Sequence, residues 1–408
     1  MGEVASKGRK STTIGDLPNG ILHTILEFVP IQDAARTSVL SKKWIPIWST
    51  QPHLVFDPLF FQYVSNIGAS AAAIIYKILM QHTGNIMGFH LISSTCKLAQ
   101  SDVDQFIIFV SKHGIQKHTL DMANEENYML PNRIFTCATL THLKLSRCFF
   151  KLPDGTQFPN LISLQLEHSK IAGHLGSEDD LNLPMLETLE LRFCIGVDSV
   201  NLVSPKLDNM SIVSSYTITF YCFNVNPIFA IIKHLCLNGT SLENYTGFMC
   251  KTGYTNHKLR GLKICDFKIS VESISCVFCL LRSSPILHEI EIDEVVKVDE
   301  TLRDSMKLLS YLSREEDRVE EALGMIRTMR LRKFKGSSTE MYLIRVLISH
   351  SKKLERMIIE QCDKGNATSF EEQLSELLSC IPRASPKSVV VKYSRMRRSL
   401  LCITTFMV

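Results

Sequence analysis

No stretch of this chain reaches the roughly 18–20 uninterrupted apolar residues that a membrane-spanning helix needs, so no membrane association is expected. The first twenty residues are polar and broken by Gly2, Gly8, Gly15 and Gly20, which leaves no apolar core for a secretory leader. Charge of one sign is also scarce. Against 41 acidic residues stand 45 Lys and Arg, and the resulting net charge of +4 is too mild for a nucleic-acid footprint. The chemistry-bearing motifs are missing as well. There is no HExxH, P-loop, GxGxxG or GxSxG, hence no expected metalloprotease site, phosphate cradle or nucleophile elbow. Cys276 and Cys279 form one CxxC without a second pair to complete a zinc site, and Ile274, Val277, Phe278 and Leu280 around them read as core. No catalytic residue, cofactor or metal is expected.

Cysteine itself is plentiful but unpaired. The thirteen residues, an odd number, lie scattered in apolar segments, as at Cys137, Cys148, Cys194, Cys236 and Cys265. Free cysteine behaves as a small buried hydrophobe, and a chain without a leader belongs in a reducing compartment. The expected localisation is therefore cytoplasmic and/or nuclear. Sequons at Asn209, Asn238, Asn244 and Asn366 are incidental there. The histidines, among them His82, His90 and His118, show no metal-ligand spacing and read as surface or edge residues.

What is present divides the chain in two. After a polar tail at residues 1–12, three short helices are expected from Asp16 to Trp48. Ile21, Leu22, Ile25, Leu26 and Val29 recur at i, i+1, i+4, i+5 and i+8, one apolar side of a helix. Asp16 or Asn19 caps that helix, Pro18 lies in its first turn and Pro30 closes it. Asp33 caps a second, Ala34 to Leu40, and Ser41 a third that carries Trp44 and Trp48 at i, i+4. Gly20 weakens the first helix by about 1 kcal/mol if it lies in the interior, and Pro46 removes a donor from the third.

Beyond residue 80 the pattern becomes L-x-x-L-x-L. Nine clear copies begin at Leu140, Leu161, Leu186, Leu207, Ile232, Leu259, Leu287, Ile326 and Leu354, at steps of 21, 25, 21, 25, 27, 28, 39 and 28 residues. Fainter copies are Ile86-Phe89-Leu91 and Ile115-His118-Leu120. Most steps fall in the roughly 20–29 residue range of leucine-rich repeats. The last two apolar residues alternate on a short strand and point inward, the first sits on the entering turn, and the x positions face solvent on the concave side. One repeat cannot bury its own apolar face, so the array stacks into a single core. The 39-residue step holds an acidic, mostly helical segment at 293–325, read as a solvated insertion in preference to an acidic binding loop.

Residues 16–57 resemble an F-box of the plant type. The matching residues are Leu17-Pro18, Ile21-Leu22, Ile25-Leu26, Val29-Pro30, Asp33-Ala34, the run Arg36 to Ser41, Trp44 and Trp48, with Pro52–Phe56 similar to the linker strand that follows. Residues 326–393 resemble the FBD domain of plant F-box proteins with leucine-rich repeats, through Leu354-Glu355-Arg356-Met357 and Arg383-Ala384-Ser385-Pro386. The resemblance implies an α/β chain: a tail at 1–12, a three-helix F-box at 13–57, and a leucine-rich-repeat solenoid with a curved, mainly parallel sheet at 80–292. The charged insertion at 293–325, the FBD module at 326–393 and a tail at 394–408 follow.

It further implies a non-catalytic subunit of a ubiquitin ligase. The F-box would dock on a Skp-type adaptor, which bridges to a cullin and its RING subunit, while the repeats hold an unknown protein substrate. Leu17, Pro18, Ile21, Leu22, Ile25, Leu26, Val29, Pro30, Val39, Leu40, Trp44 and Trp48 are the implied adaptor-binding residues. A segment of some forty residues is too small to bury that much apolar surface alone, and the surplus is interface. The alternative is a leucine-rich-repeat interaction scaffold without a ligase role, its N-terminal helices capping the array.

Overall fold

The computed structural model describes residues 14–93, 96–122, 128–151, 153, 158–171, 181–196, 202–214, 231–253, 255–295, 302–334, 337–361 and 390–393. The chain forms two compact units, Met1–Ala172 and Gly173–Val408.

The first unit opens with helices Asn19–Glu27, Ile31–Arg36 and Trp44–Ser49, and a 3-10 turn at Thr37–Val39. The expected side-chain caps are not used. Pro18 and Pro30 hold the N-cap positions, with φ of −57° and −51° and extended ψ of 145° and 139°. Proline's fixed φ aims the chain into each helix without a side-chain acceptor. The second helix starts earlier than expected and ends at Arg36. There the Thr37 and Ser38 hydroxyls donate to the Ala34 and Ala35 carbonyls at 2.6 and 2.7 Å, competing with continuation of the helix. Pro46 is the third residue of its helix, where a backbone N–H has no intrahelical acceptor, so its missing donor costs nothing. Gly20 lies in the first turn of its helix, and a Cβ there would meet nothing within 4 Å.

The strand His53–Phe56 pairs in parallel with Gly88–Ser93, aligning Leu54 with Phe89 and Phe56 with Leu91. The strand expected as a linker is therefore the first strand of the repeat sheet, well before residue 80. Helices Pro58–Asn66 and Ala71–Gln81 lie between the two strands. They start where Asp57 and Ser70 accept from the Phe60 and Ala73 amides. The sheet continues through Lys117–Met122, His142–Ser146 and Ser163–Glu167, all parallel.

The second unit repeats the arrangement with Thr188–Arg192, Asn209–Val213, His234–Asn238, Gly261–Phe267, Glu289–Val295, Thr328–Phe334, Arg356–Gln361 and Val390–Tyr393. The described residues of 326–393 thus extend the same sheet as further strands.

Every copy of the motif, the two faint ones included, falls on a strand and in register. Phe89, His118, Leu143 and Leu164 form one row in the first unit. Leu189, Met210, Leu235, Leu262, Ile290, Met329 and Met357 form its counterpart in the second. These side chains are at most 4% exposed. His118 is thereby an interior residue, not a surface or edge one. It stacks on Phe89, and its Nδ1 lies 3.1 Å from the Phe89 carbonyl.

Repeat length decides what backs the strands. The short steps leave no room for a helix of a dozen residues, about 18 Å long. Where their backing is described, they carry brief parallel strands instead: Tyr128–Met129, Cys148–Phe150 and Lys170–Ile171 in the first unit, Leu181–Asn182 and Leu202–Val203 in the second. Steps of 27 and more carry helices Gly239–Thr252, Val271–Arg282 and Ser338–His350. The 39-residue step fits the same rule. Its described residues form helices Leu302–Arg314 and Glu316–Leu323, and Leu308, Leu312, Val319, Ala322 and Leu323 are at most 5% exposed. This segment is packed backing with a charged outer side, where a solvated insertion was expected. Residues 296–301, the Arg383–Pro386 run and both tails lie outside the described residues.

Five strand ends turn on a left-handed residue. Arg147, His168, Phe193, Asp266 and Lys333 have φ between 47° and 59°, each two positions after the last apolar residue of its motif. The next residue turns inward, as Cys148, Ser169, Cys194, Phe267 and Phe334. At three of these positions the side chain bonds backbone. Ser169 Oγ accepts from the Cys148 amide at 3.2 Å and donates to the Glu167 carbonyl at 2.9 Å. The Cys148 and Cys194 thiols donate to the Ser146 and Arg192 carbonyls. Burial pushes the Cys148 thiol up to about 12, so the proton that makes this contact stays in place.

Candidate functional site

The twelve implied adaptor residues separate into three groups. Leu22, Leu26, Trp44 and Trp48 are buried and form the inner side of the helical module together with Ile31, Ala34 and Ile47. Leu17, Ile25 and Val29 are half-buried. Pro18, Ile21, Pro30, Val39 and Leu40 are exposed, Val39 to 84% and Leu40 to 68%. Three further exposed apolar side chains, Ile14, Phe28 and Ile45, were missed. Ile45 falls off the i, i+4 pair of Trp44 and Trp48, whereas Phe28 follows Ile21 by seven residues and Ile25 by three, and its place on the Ile21 edge of the stripe is the signal that could have found it.

Along one side of the module runs a cavity of about 250 Å³. Leu26, Val29, Pro30, Ile31, Ala34 and Trp48 line it from the helices and the link between the first two, and His53, Val55, Asp57 and Leu59 from the first strand and the start of helix Pro58–Asn66. Glu27 and His53 approach to 3.8 Å at its rim.

The module is fastened to the two helices that follow the first strand by polar contacts at two places. Gln51, 2% exposed, lies 3.1 Å from His23 Nδ1 through its Oε1 and donates through Nε2 to the His23 carbonyl at 3.3 Å. The Gln51 carbonyl in turn lies 2.9 Å from His82 Nε2. Burial lowers the His82 pKa, which fits a neutral ring donating that bond. At the second place Arg36 pairs with Asp33 at 2.9 Å, donates to the Tyr63 hydroxyl at 3.0 Å and sits 5.0 Å from the centre of that ring. These contacts hold the helical module against helices Pro58–Asn66 and Ala71–Gln81.

The outward rows of the second unit carry a different chemistry. Glu291 lies within 3.6 Å of Lys263, Arg332 and Arg330, and Arg332 also reaches Glu360 at 3.3 Å. Asp293 lies 3.8 Å from Lys263 and 3.7 Å from Lys333. In the first unit the same face carries Arg147 paired with Asp121, and Lys144 beside Glu167. No group of three or more His, Cys, Asp or Glu side chains suited to a metal occurs among the described residues.

Comparison with known proteins bears on both regions. A model of the F-box domain matches residues 14–55. A second, for the leucine-rich repeats of FBD-associated F-box protein At5g56370, matches residues 103–227. Among similar proteins is the F-box/FBD/LRR-repeat protein At1g13570 of Arabidopsis thaliana, 26% identical across 93% of this chain and 98% of that protein. F-box/LRR-repeat protein 25 of the same plant is 29% identical over 48% of this chain and 72% of its own length. F-box/FBD/LRR-repeat protein At5g56420, also from Arabidopsis, is 28% identical over 58% of this chain and 56% of its own length.

Proposed function

From a chain whose two modules are those of the plant F-box/FBD/leucine-rich-repeat family, we propose that it is the substrate-recognition subunit of a Skp–cullin–F-box ubiquitin ligase. The observation that carries this reading is the density of exposed apolar side chains on the helical module. Ile14, Ile21, Phe28, Val39, Leu40 and Ile45 all stand out of the fold within 32 residues. A module this small cannot hide them, and large apolar anchors dominate the energy of helix-mediated recognition. They are the docking surface for a Skp-type adaptor, which brings a cullin and its RING subunit. Leu22, Leu26, Trp44 and Trp48 act indirectly, by packing the helices that present the anchors.

The repeats position a protein substrate through the outward side chains of the sheet. Holding the target near a ubiquitin-charged enzyme contributes several kcal/mol to transfer without any bond-making by the scaffold. The chain is thus a non-catalytic subunit, working in the cytoplasm, the nucleus or both.

The test is co-purification with a Skp-type adaptor. Leu17→Ala with Pro18→Ala, and separately Val39→Ser with Leu40→Ser, should each lower adaptor recovery at least about tenfold, the equivalent of one lost apolar anchor. Circular dichroism should show the repeats still folded. Undiminished recovery with both double variants would sink the reading.

A further inference from the structure

We propose that Cys236 and Cys265 form an oxidant-responsive thiol pair, a modification site on the outward face of the repeat sheet. The inference rests on repeat geometry and is independent of the ligase reading. Cys236 lies between the inward residues Leu235 and Leu237, and Cys265 follows inward Ile264, so both belong to the outward rows. Register sets Cys236 against Lys263 and Cys265 against Asn238, which makes the thiols diagonal neighbours on adjacent strands. Their Sγ atoms are 3.7 Å apart. Val213 and Phe193 pack beside them. Neither thiol caps its own strand as Cys148 and Cys194 do, so neither has that structural duty.

The surroundings favour charge on one sulfur of the two. Either thiol can donate to the other across this contact; that bond, with the cations of Lys263 and Arg192, favours a thiolate at Cys236 over the burial that opposes it. The pKa of Cys236 is lowered, while that same bond and burial raise Cys265. Lys263 is held in place by Glu291 at 3.0 Å and Asp293 at 3.8 Å, so its charge is fixed near the pair. A thiolate beside a fixed cation, with a protonated thiol in contact, is an attacking and resolving pair.

With a hydroperoxide as oxidant the steps balance. The Cys236 thiolate attacks the terminal peroxide oxygen; the S–O bond forms as the O–O bond breaks, and hydroxide or alkoxide departs. Cys236 is then a sulfenic acid. Cys265 sulfur attacks that sulfur; the S–S bond forms, the S–O bond breaks, and the Cys265 proton leaves with the hydroxyl as water. Two electrons pass from the thiols to the peroxide. The sulfurs must close by about 1.7 Å to reach a bond of about 2.05 Å, by side-chain rotation and a small strand adjustment. The product pins the strands His234–Asn238 and Gly261–Phe267 together across the outward face.

Full-length protein carrying Cys250→Ser, reduced and freed of reductant, is titrated with hydrogen peroxide, alkylated and digested with trypsin. The Cys250 change is needed because that residue shares the 234–251 peptide with Cys236. The 234–251 and 264–268 peptides should appear linked, two hydrogens lighter than their sum, and separate on addition of dithiothreitol. Cys236 should lose alkylation at least about tenfold faster than Cys148. In Cys265→Ser, dimedone should trap Cys236 as its sulfenic adduct. The proposal is overturned if both thiols stay alkylatable at peroxide levels that oxidise Cys96. Linkage only in denatured protein, or a Cys265→Ser variant without the adduct, overturns it too.

Discussion

Between Ile14 and Ile45 six large apolar side chains stand in solvent, while in the repeats the three apolar positions of every motif are at most 4% exposed, strand after strand. The two regions use the same residue types to opposite ends. A repeat lends its apolar face to its neighbour, so each strand added completes the one before it, and burial stabilises by about 1.5–3 kcal/mol for each fully covered Leu or Ile. The helical module has no such neighbour on its outer side. Its Leu22, Leu26, Trp44 and Trp48 close a small core, and Val39, Leu40 and Phe28 are left over. In the repeats an apolar residue is therefore a statement about stability, and on the outside of the helical module, under the proposed function, it is a statement about a partner.

The sharpest way to break this comparison is to truncate an inward row. Leu237 is fully buried between neighbouring strands, where the side chain sits over Ile212 on one side and Ile264 on the other. Leu237→Ala should lower stability by about 2–5 kcal/mol, read from urea unfolding of the full chain. A cost below about 1 kcal/mol would mean that the row tolerates a cavity and is not the continuous core described above.

His118 occupies the same kind of inward position with a side chain that can charge. Burial lowers its pKa from 6.5 to about 4. The folded state thus resists a proton that the unfolded chain accepts. His118 contributes no penalty above pH 6.5, stability falls as pH drops from about 6.5 to about 4, and the fall levels off below that. Exchanging it for the residue that the motif calls for, His118→Leu, should flatten that part of the melting-temperature profile. A profile of unchanged slope between pH 6.5 and 4 would show that His90, also lowered to about 4 by burial, carries the effect instead.

These cases also mark how far the sequence could be read. The L-x-x-L-x-L pattern placed eleven strands and their inward residues, because period-2 alternation and stacking depend on side-chain type alone. It missed the strand His53–Phe56, where the chain offers Leu54 and Phe56 without the preceding turn leucine, and the helices Pro58–Asn66 and Ala71–Gln81, which no motif announces. In the F-box the apolar stripe located the helices but did not separate Trp44, which faces inward, from Val39, which faces out. That choice is made by how three short helices pack on one another, and periodicity within each helix carries no information about it. The 293–325 segment misled in a related way. Its charges described one side of two helices, and Leu308, Leu312, Val319 and Leu323, which fix where it goes, were outnumbered.

A smaller effect is expected where backing helices begin. Ser337 caps the Ser338–His350 helix in a reciprocal box. Its hydroxyl accepts from the Glu340 amide at 3.2 Å, and the Glu340 carboxylate accepts from the Ser337 amide at 2.8 Å. Ser337→Ala should lower stability by about 1 kcal/mol, seen as a shift in the urea midpoint without a change in slope. This sits between the loss from an inward leucine and the near-neutral change expected on the F-box surface.

Phe28 supplies that last case, and it tests the comparison from the other side. It is 86% exposed at the C-cap of the first helix and on the rim of the cavity shared with the first strand. A phenylalanine so placed makes few contacts to lose, so Phe28→Ser should change stability by no more than about 0.5 kcal/mol. If it is an anchor for the adaptor, recovery of the complex should nevertheless fall about tenfold, since removing one aromatic anchor typically costs more than 1 kcal/mol of binding. Thermal melting and adaptor capture measured on the same preparation separate the two. A large drop in melting temperature would show that Phe28 belongs to the fold. An unchanged melt with unchanged capture would confine the docking surface to the Ile21, Val39 and Leu40 side of the module.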